Sequence, residues 1–494
     1  MKPEFLEKTE SICPVCLKVL SAEIWERGEA VYLERECSEH GPFSTVIWRG
    51  KPDFRSWKRP KQPLKVVPQT TKNQGCPYDC GLCPDHGQNP CTVLLEITER
   101  CDLNCPVCFA NSGGHKDFTP LSDLIDHLHW IKKTQGQIVL QISGGEPTLH
   151  PQLPELVEEA SKLFPAVQLN TNGLRLASQS GLAKNLAKNG LSWVFLQFDG
   201  MSDWVFQALR GQPLISRKMA AVAACEEADL SVVLVPTTAK GLNDRELGPI
   251  VNWARSKPIV RGVHIQPMTQ TGRNHLIGPE YRMTIPEILK ALSDQTDGLL
   301  KPEQAFPPGC EHERCSFHLR FRRLDDGQLI PQVPRADDCC CGPGGCPPKF
   351  SNEASPPEET DSNRTKAVEI IIKSWGNSGQ VNPSEKIKGQ ESESSDPVNL
   401  SQNSNNQGAG NNGSGGGLKL PMAKKKPMSL DDFLAQARKE TFSVTGMAFQ
   451  DSSNMDLARL KGCCVHIFRA PDRLIPFCAM NLTSSSGRYL YRKN

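Results

Sequence analysis

The chain of 494 residues lacks an excess of either charge, because 57 Lys and Arg residues nearly equal 55 Asp and Glu residues and leave a net charge of +2. Nucleic-acid-binding surfaces usually carry a basic excess, so this balance argues against nucleic acid as a partner. No apolar run approaches the roughly 18 residues that a membrane span needs, and the N-terminus is too polar for a secretory signal peptide. The sequence therefore predicts a cytoplasmic protein.

Cysteine, by contrast, is abundant, with 20 residues in all. Secreted disulfide scaffolds are short, whereas this chain is long and shows no export signal, so its thiols indicate metal ligands in a reducing compartment. The grouped cysteines are Cys13, Cys16 and Cys37; Cys76, Cys80, Cys83 and Cys91; Cys101, Cys105 and Cys108; Cys310 and Cys315; Cys339, Cys340, Cys341 and Cys346; and Cys463, Cys464 and Cys478. Cys225 lies apart in an Ala-rich helical stretch and is interpreted as a small buried hydrophobe.

Strand and helix signals alternate between residues 92 and 270. Runs rich in Val, Ile and Leu predict strands at Val93–Thr98, Ile138–Ser143, Ala166–Asn170, Trp193–Asp199, Ser231–Pro236 and Val260–Pro267. Helical periodicity predicts helices at Pro120–Thr134, Gln152–Phe164, Gln179–Asn189, Ser216–Ala228 and Asp244–Ser256. This alternation predicts an α/β fold, as a parallel sheet or a partial barrel, with its chemistry at the carboxyl ends of the strands.

The strongest motif is Cys101-x3-Cys105-x2-Cys108, which directly follows the first predicted strand. Three thiolates at this spacing can hold three corners of a cubane iron–sulfur cluster and leave its fourth iron open. A zinc knuckle is the alternative, but it would need a fourth ligand nearby. Gly144-Gly145-Glu146-Pro147 follows the second strand; its glycines would let a ligand approach the backbone, and Glu146 can accept a hydrogen bond from an ammonium group.

Together these two motifs resemble the signature of the radical S-adenosylmethionine (SAM) superfamily. The resemblance implies a partial (βα)6 barrel of the TIM type, a [4Fe–4S] cluster on the three cysteines, and SAM chelated by the open iron with its amine near Gly144, Gly145, Glu146 and Pro147. Reductive cleavage of SAM would then give a 5′-deoxyadenosyl radical that abstracts hydrogen from an unactivated carbon. Further cofactor-pocket candidates at later strand ends are Asn170, Gln197, Asp199 and Gln266, although ordinary loop capping explains each one singly as well. No catalytic residue is assigned.

A second triplet, Cys76-x3-Cys80-x2-Cys83, follows no strand and has Cys91 seven residues beyond Cys83. We interpret the four thiols as a closed auxiliary [4Fe–4S] site, with structural zinc as the alternative. At the N-terminus, Cys13-x2-Cys16 and Cys37-x2-His40 have the spacing of a Cys3His zinc site or a rubredoxin-like iron site.

A third site begins at Cys310-x4-Cys315 and needs two more thiolates. The run Cys339–Cys341, Cys346, Cys463, Cys464 and Cys478 offer several choices, and the sequence does not assign them. One or two auxiliary clusters are therefore expected, with Cys478 among the candidate ligands.

The full pattern is similar to a narrower group that contains the archaeal tetraether lipid synthase and homologues described as pterin methyltransferases. The segments that carry it are Cys37-x2-His40-Gly41, Gly75-Cys76-Pro77, Leu196-Gln197-Phe198-Asp199-Gly200, His264-Ile265-Gln266-Pro267-Met268 and Ile475-Pro476-Phe477-Cys478. The resemblance implies either carbon–carbon bond formation on lipid alkyl chains, which we favour from sequence, or methylation of a dihydropterin. A reducing partner such as ferredoxin or flavodoxin is expected, and a lipid substrate would require peripheral membrane contact.

The sequence also divides the chain into regions. Residues 1–60 are predicted to form a rubredoxin- or zinc-ribbon-like region, 61–91 an auxiliary cluster region, 92–275 the partial barrel, 276–350 a Cys-rich auxiliary region, 351–428 a low-complexity flexible linker and 429–494 a C-terminal closing unit whose first helix begins at Ser429. The remaining alternative, of another class, is a zinc-rich binding scaffold without catalysis.

Overall fold

The structure is a computed structural model of the chain, and it describes residues 2–59, 66–113, 118–274, 278–332, 368–376 and 440–492. An antiparallel sheet of four strands comes first, with β1 at Glu4–Ile12, β2 at Val19–Arg27, β3 at Ala30–Cys37 and β4 at Gly41–Arg49. One face of this sheet buries Ile24, Leu33 and Trp48 in the main core, so the sheet packs onto the rest of the molecule. The cysteines and the histidine of the predicted N-terminal metal site lie at the first and third of its three turns.

The predicted six-stranded parallel array is confirmed. Its strands, in spatial order, are β5 (Thr92–Glu96), β6 (Val139–Ser143), β7 (Ala166–Thr171), β8 (Trp193–Gln197), β9 (Val232–Val235) and β11 (Val260–Pro267), while the two-residue β10 (Thr237–Thr238) pairs with β11. These strands are buried along almost their whole length, as expected for parallel strands covered on both faces.

Helices connect the parallel strands, and the five that the periodicity predicts are all present. They are α1 (Leu121–Gln135), α2 (Leu153–Leu163), α4 (Leu182–Lys188), α6 (Ile215–Glu227) and α7 (Leu247–Arg255). The structure adds α3 (Leu174–Ser178), α5 (Asp203–Arg210) and, after the barrel, α8 (Ile285–Gln295). Within the described residues, no helix has both the length and the apolar character needed to cross a bilayer.

Both edges of the parallel array are extended by strands from the C-terminal part of the chain. At one edge, β14 (Thr441–Met447) lies parallel to β11, and β12 (Ser316–Arg323) and β13 (Leu329–Pro331) follow it in antiparallel order. At the other edge, β15 (Val465–Arg469) lies parallel to β5 and forms a hairpin with β16 (Arg473–Pro476). The C-terminal segment thereby covers both edges of the sheet that would otherwise be unpaired. The helix predicted to begin at Ser429 lies outside the described residues.

One segment differs from the predicted linker at 351–428. Residues 368–375 are helical. Val368, Ile371, Ile372 and Trp375 pack against Trp193 and other residues at the amino ends of the barrel strands. The apolar spacing i, i+3, i+4, i+7 in this segment is that of an amphipathic helix, and it was present in the sequence among the surrounding polar residues.

Candidate active site and metal centres

The loop that follows β5 carries Cys101, Cys105 and Cys108, and all three line one cavity at the carboxyl end of the barrel. Two arginines hold the loop through its backbone carbonyls. Arg273 donates from Nε to the Cys105 carbonyl at 2.8 Å and from Nη1 to the Ser112 carbonyl at 2.6 Å. Arg210 donates from Nη1 to the Val107 carbonyl at 2.9 Å. The loop is therefore fixed through its backbone, which leaves the three thiols directed at the cavity.

The donor set fits an iron–sulfur cluster. Burial raises the pKa of Cys101 to about 12 and also raises that of Cys105, so their thiolates require a bound cation to form near neutral pH. A four-iron cubane holds its thiolates farther apart than a single ion does, and the three sulfurs are not packed as tightly as the N-terminal metal ligands. Three thiol ligands facing a cavity match a cluster with one open iron.

Gly144 and Gly145 both line this cavity, but their immediate neighbours are the backbone of the cluster loop. A Cβ on Gly144 would lie 2.3 Å from the Thr98 carbonyl oxygen, and one on Gly145 would lie 2.2 Å from the Arg100 carbonyl oxygen. Gly145 also donates its N–H to the Thr98 carbonyl at 2.8 Å. The glycines are thus required for the close approach of two protein backbones, a reason that the sequence interpretation did not include.

Glu146 differs from its predicted position beside the SAM amine. Its side chain is fully buried, does not line the cavity and accepts hydrogen bonds from Thr148 N (3.1 Å), Thr148 Oγ1 (2.5 Å), Thr171 Oγ1 (2.6 Å) and Asn172 N (2.7 Å). The carboxylate therefore ties the loop after β6 to the end of β7. Pro147 begins the buried 3₁₀ turn that follows, so it shapes the same loop.

Asp199 lies at the end of β8 and forms a buried ion pair. Arg210 donates to Asp199 Oδ2 from Nε and to Oδ1 from Nη2, both at 2.7 Å, and the carboxylate side chain is 0% exposed. Gln197 donates to the same carboxylate and accepts from Lys218 Nζ at 2.6 Å. Burial lowers the pKa of Lys218 to about 8. Asp199 is therefore a structural partner of Arg210, whereas Gln197 lines the cavity as predicted for a pocket residue.

Side-chain amides form a directed chain of hydrogen bonds along the inner wall of the barrel. Trp193 Nε1 donates to Gln168 Oε1 at 2.8 Å, and Gln168 Nε2 donates to Asn170 Oδ1 at 2.6 Å. Asn170 Nδ2 then donates to Gln141 Oε1 at 3.1 Å. Asn170 therefore lines the cavity as the middle of a polar wall, and Gln266 lines the cavity from β11.

Two histidines make the stability of the barrel edge depend on pH: His264, which is buried, and His318, which is half-buried. Burial lowers the pKa of His264 on β11 to about 4 and that of His318 on β12 to about 3. His264 Nδ1 lies 2.8 Å from Thr445 Oγ1 on β14, the strand between them. In the unfolded chain both imidazoles take up a proton near pH 6.5, so below that pH the unfolded state binds more protons and the free energy of unfolding falls.

We expect the free energy of unfolding to fall by at most about 1.4 kcal/mol per pH unit for each of these histidines as the pH drops from about 6.5 toward 4. In His264→Asn, urea unfolding measured at several pH values should show a slope that is shallower by up to that amount. His129→Asn, at an exposed position on α1, is the matched control and should follow the wild type. An unchanged slope in His264→Asn would show that this imidazole is not buried in its neutral form.

The N-terminal site brings Cys13, Cys16, Cys37 and His40 together as predicted from their spacing, with all ligand atoms within 4.8 Å of one another. Cys13 Sγ and Cys37 Sγ lie 3.6 and 3.5 Å from His40 Nδ1, and Cys16 Sγ lies 4.0 Å from Cys37 Sγ. A tetrahedral zinc with Zn–S bonds of about 2.3 Å separates its sulfurs by about 3.8 Å. The site therefore fits a single tetrahedral ion such as zinc.

The remaining described cysteines lie together in combinations that differ from the predicted ones. Cys76 and Cys83 lie close enough to Cys80 to raise the pKa of its thiol, as expected from the triplet. Cys91, predicted as their fourth ligand, instead lies with its Sγ 3.1 Å from Cys464 Sγ, a residue 373 positions away. This correction arises because Cys91 precedes β5 and Cys464 precedes β15, and these two strands pair in parallel.

Cys310 and Cys315, predicted to serve one site, have different neighbours. Cys310 adjoins Cys91 and Cys464. Cys315, by contrast, lies close enough to Cys463 and Cys478 to raise the pKa of both thiols. Cys464 thus lies with Cys91 and Cys310, whereas the adjacent Cys463 interacts mainly with Cys478 and Cys315 and less strongly with Cys91. Cys339, Cys340, Cys341 and Cys346 lie outside the described residues.

Three positively charged residues of the site were missed by sequence reasoning: Arg210, Lys218 and Arg273. Arg210 and Lys218 lie on helices among ordinary helix-forming residues, and Arg273 lies in a short 3₁₀ helix after β11. Lys218 Nζ also donates to the Asn172 carbonyl at 2.5 Å. Nothing in the local sequence separates these residues from exposed lysines and arginines, because their roles depend on partners in distant strands.

Comparisons with known proteins agree with the fold and the cluster loop. A family model described as the radical SAM superfamily matches residues 95–254, and one described as the HMPTM N-terminal zinc ribbon domain matches residues 5–49. The 7,8-dihydro-6-hydroxymethylpterin dimethyltransferase of Methanocaldococcus jannaschii is 30% identical, across 96% of this chain and 93% of its own length. The chain belongs to the radical SAM superfamily, and it is a radical SAM enzyme. Its similarity to that pterin dimethyltransferase extends over nearly the whole length of both chains.

More distant similarities cover parts of the chain. A GTP 3′,8-cyclase of Clostridium acetobutylicum is 28% identical across 42% of this chain and 66% of its own length. The structure of Streptococcus suis SuiB bound to precursor peptide SuiA is similar with a TM-score of 0.37 and 16% identity, over 43% of this chain and 46% of that one. The family match over residues 95–254 and the full-length relative confirm the predicted superfamily and argue against the alternative of a scaffold without catalysis. The comparisons favour the methyltransferase alternative over the lipid-coupling prediction.

Proposed function

We propose that this radical SAM enzyme methylates a pterin of the hydroxymethyl-dihydropterin class. The observation that carries the proposal is the similarity to a 7,8-dihydro-6-hydroxymethylpterin dimethyltransferase over nearly the whole of both chains, because it includes the N-terminal ribbon and the C-terminal strands as well as the barrel. The partial similarity to GTP 3′,8-cyclases agrees, since GTP and pterins both carry a fused, nitrogen-rich double ring.

The cavity offers both polar and apolar surface, which suits a flat heterocycle with a polar edge. Gln141, Gln168 and Asn170 present amide groups along one wall, and the edge of a pterin alternates hydrogen-bond donors and acceptors in the same way. Phe449 and Phe477 line another part of the cavity, with ring centroids 4.3 Å apart, and supply apolar surface for the ring face.

Cys101, Cys105 and Cys108 would hold the [4Fe–4S] cluster that the superfamily uses. When bound, the cluster and SAM supply an electron and a scissile C–S bond, from which a 5′-deoxyadenosyl radical is generated. Arg210 and Arg273 fix the loop that carries the three thiols. Glu146 and the Asp199–Arg210 pair fix the neighbouring strand ends. These residues hold the cavity in one shape, so that a substrate carbon can stay within reach of the radical.

We further propose that the other cysteine groups hold auxiliary iron–sulfur clusters. Cys76, Cys80 and Cys83 form one group, Cys91, Cys310 and Cys464 a second, and Cys315, Cys463 and Cys478 a third. The first group is supported by its short spacing and mutual proximity, and the other two by the proximity of thiols that come from distant parts of the chain. A ferredoxin or flavodoxin would supply the electrons, since the reaction needs an external reductant.

The test is an anaerobic reaction of the reconstituted enzyme with SAM and a chemical reductant. Parallel reactions receive 6-hydroxymethyl-7,8-dihydropterin or an archaeal diether lipid, and products are identified by mass spectrometry. We expect 5′-deoxyadenosine together with a pterin that has gained one or more methyl groups. Each methyl group would come from a further SAM molecule, because the SAM that yields 5′-deoxyadenosine keeps its own methyl group on the released methionine. Coupled lipid tails with an unmodified pterin would reject the proposal and support the lipid alternative. A reaction without SAM is the control.

A further inference from the structure

A helix from outside the barrel repeat closes the amino end of the barrel. Residues 368–375 are helical, and their apolar side chains meet the first residues of three strands, Val139, Ala166 and Trp193. Val368 is 3% exposed in this position. The helix therefore occupies the end of the barrel opposite to the loop that carries Cys101, Cys105 and Cys108.

Trp375 is held in place by four neighbours from three strands, β8, β11 and β14. Its indole Nε1 donates to Ser443 Oγ on β14 at 2.9 Å. Its ring centroid lies 5.1 Å from that of Phe195, 6.0 Å from that of Trp193 and 6.2 Å from that of His264, all in edge-to-face arrangements. A hydrogen bond together with three aromatic contacts fixes both the position and the orientation of the indole.

The cavity that contains the cluster cysteines extends down to this helix. The same cavity is lined by Cys101, Cys105 and Cys108 at the carboxyl end and by Ile371 and Trp375 at the amino end. The amide wall of Gln141, Gln168 and Asn170 belongs to the same cavity. A strand of five residues such as β6 is about 13 Å long at about 3.3 Å per residue, which is the scale of the space between the two ends.

We infer that the 368–375 helix is the floor of the substrate site and that Trp375 is a positioning residue that limits how deeply the substrate enters. A substrate supported from below stays near the cluster loop, where the radical is generated. Without the floor, a small ring could move along the barrel axis away from the reacting end. This inference rests on the proposed function for the class of substrate, whereas the position of the floor rests on the cavity and on the contacts of Trp375.

The test measures binding first and turnover second. Reconstituted enzyme without reductant is titrated with 6-hydroxymethylpterin, a stable fluorescent analogue, and the Kd is measured by equilibrium dialysis. Trp375→Ala should raise the Kd at least tenfold, and Trp375→Phe should restore most of the affinity. With reductant and the dihydropterin, Trp375→Ala should also form more 5′-deoxyadenosine per methylated product, because the substrate is no longer held at one depth.

Trp253→Ala is the matched control. This half-buried tryptophan stacks on Phe198 with centroids 5.2 Å apart, and it does not line the cavity. Its loss should lower the thermal stability without changing the Kd or the product ratio. If Trp375→Ala fails to fold, Ile371→Phe provides a second variant. It keeps the helix apolar and adds a ring that reduces the space above the floor, so it should also raise the Kd of the pterin.

The outcomes separate the two proposals. If the wild type binds the pterin and both Trp375→Ala and Ile371→Phe bind it equally well, the floor inference is wrong while the proposed function stands. If the wild type neither binds nor methylates the pterin, the proposed function itself is wrong.

Discussion

Replacement of Cys105 by alanine is expected to abolish reductive SAM cleavage, with a loss of on the order of 10³-fold or more, or about 4 kcal/mol of activation free energy. The reason is that Cys105 is the middle one of three cysteines in the loop, and the loop holds no further thiol that could replace it. Its carbonyl also accepts a hydrogen bond from Arg273. The measurement is 5′-deoxyadenosine formed per enzyme under reducing conditions, alongside iron and zinc content. The zinc content and most of the iron bound elsewhere should remain.

The matched control for this variant is Cys225→Ala. Cys225 lies on α6 within the same barrel and is 0% exposed in the main core, where it packs as a small apolar residue. Its loss should leave SAM cleavage and iron content near the wild-type values. If Cys105→Ala and Cys225→Ala behaved alike, or if Cys105→Ala lost all of its metal, the loop would be a folding element and not the SAM-cleaving site.

Conversion of Asp199 to asparagine is expected to lower the free energy of unfolding by about 3–5 kcal/mol, because it leaves the charge of Arg210 buried without its partner. The side chains of the pair are 0% and 8% exposed, and both contacts are 2.7 Å long. Arg210 also holds the Val107 carbonyl in the cluster loop. The variant should therefore bind less iron after reconstitution, which is measured together with urea unfolding.

An exposed ion pair provides the control for that prediction. Lys290 and Asp294 on α8 form a contact of 2.6 Å, with side chains that are 73% and 60% exposed. Asp294→Asn should change the stability by less than about 0.5 kcal/mol and leave iron content unchanged. Equal effects of the two substitutions would contradict a special role for the Asp199–Arg210 pair.

The position of the cluster loop and the order of the barrel strands could be predicted from the sequence because both depend on nearby residues. The spacing of Cys101, Cys105 and Cys108 is set within eight positions of the chain. The strands are short apolar runs that alternate with amphipathic helices, a pattern that itself implies parallel pairing. The same reasoning located the two halves of the N-terminal metal site, whose ligands lie in the turns of adjacent hairpins.

The roles of individual polar residues were harder to predict. Glu146 was expected to meet the SAM amine, but it is enclosed by Thr148, Thr171 and Asn172. Asp199 was expected in the cofactor pocket, but its carboxylate is buried in an ion pair with Arg210. A carboxylate at a strand end can face a ligand or a neighbouring loop, and only the surrounding backbone decides which of these it meets.

By itself, the sequence determined the superfamily, the parallel barrel and the three thiols that face its cavity, because these depend on short spacings that the covalent chain fixes. The tertiary structure decided which distant thiols meet, as when Cys91 reaches Cys464 through the pairing of β5 with β15. It also decided that residues 368–375, a short apolar stripe in a polar stretch, close the barrel. Contacts between residues hundreds of positions apart depend on the packing of whole strands, and no local pattern specifies them.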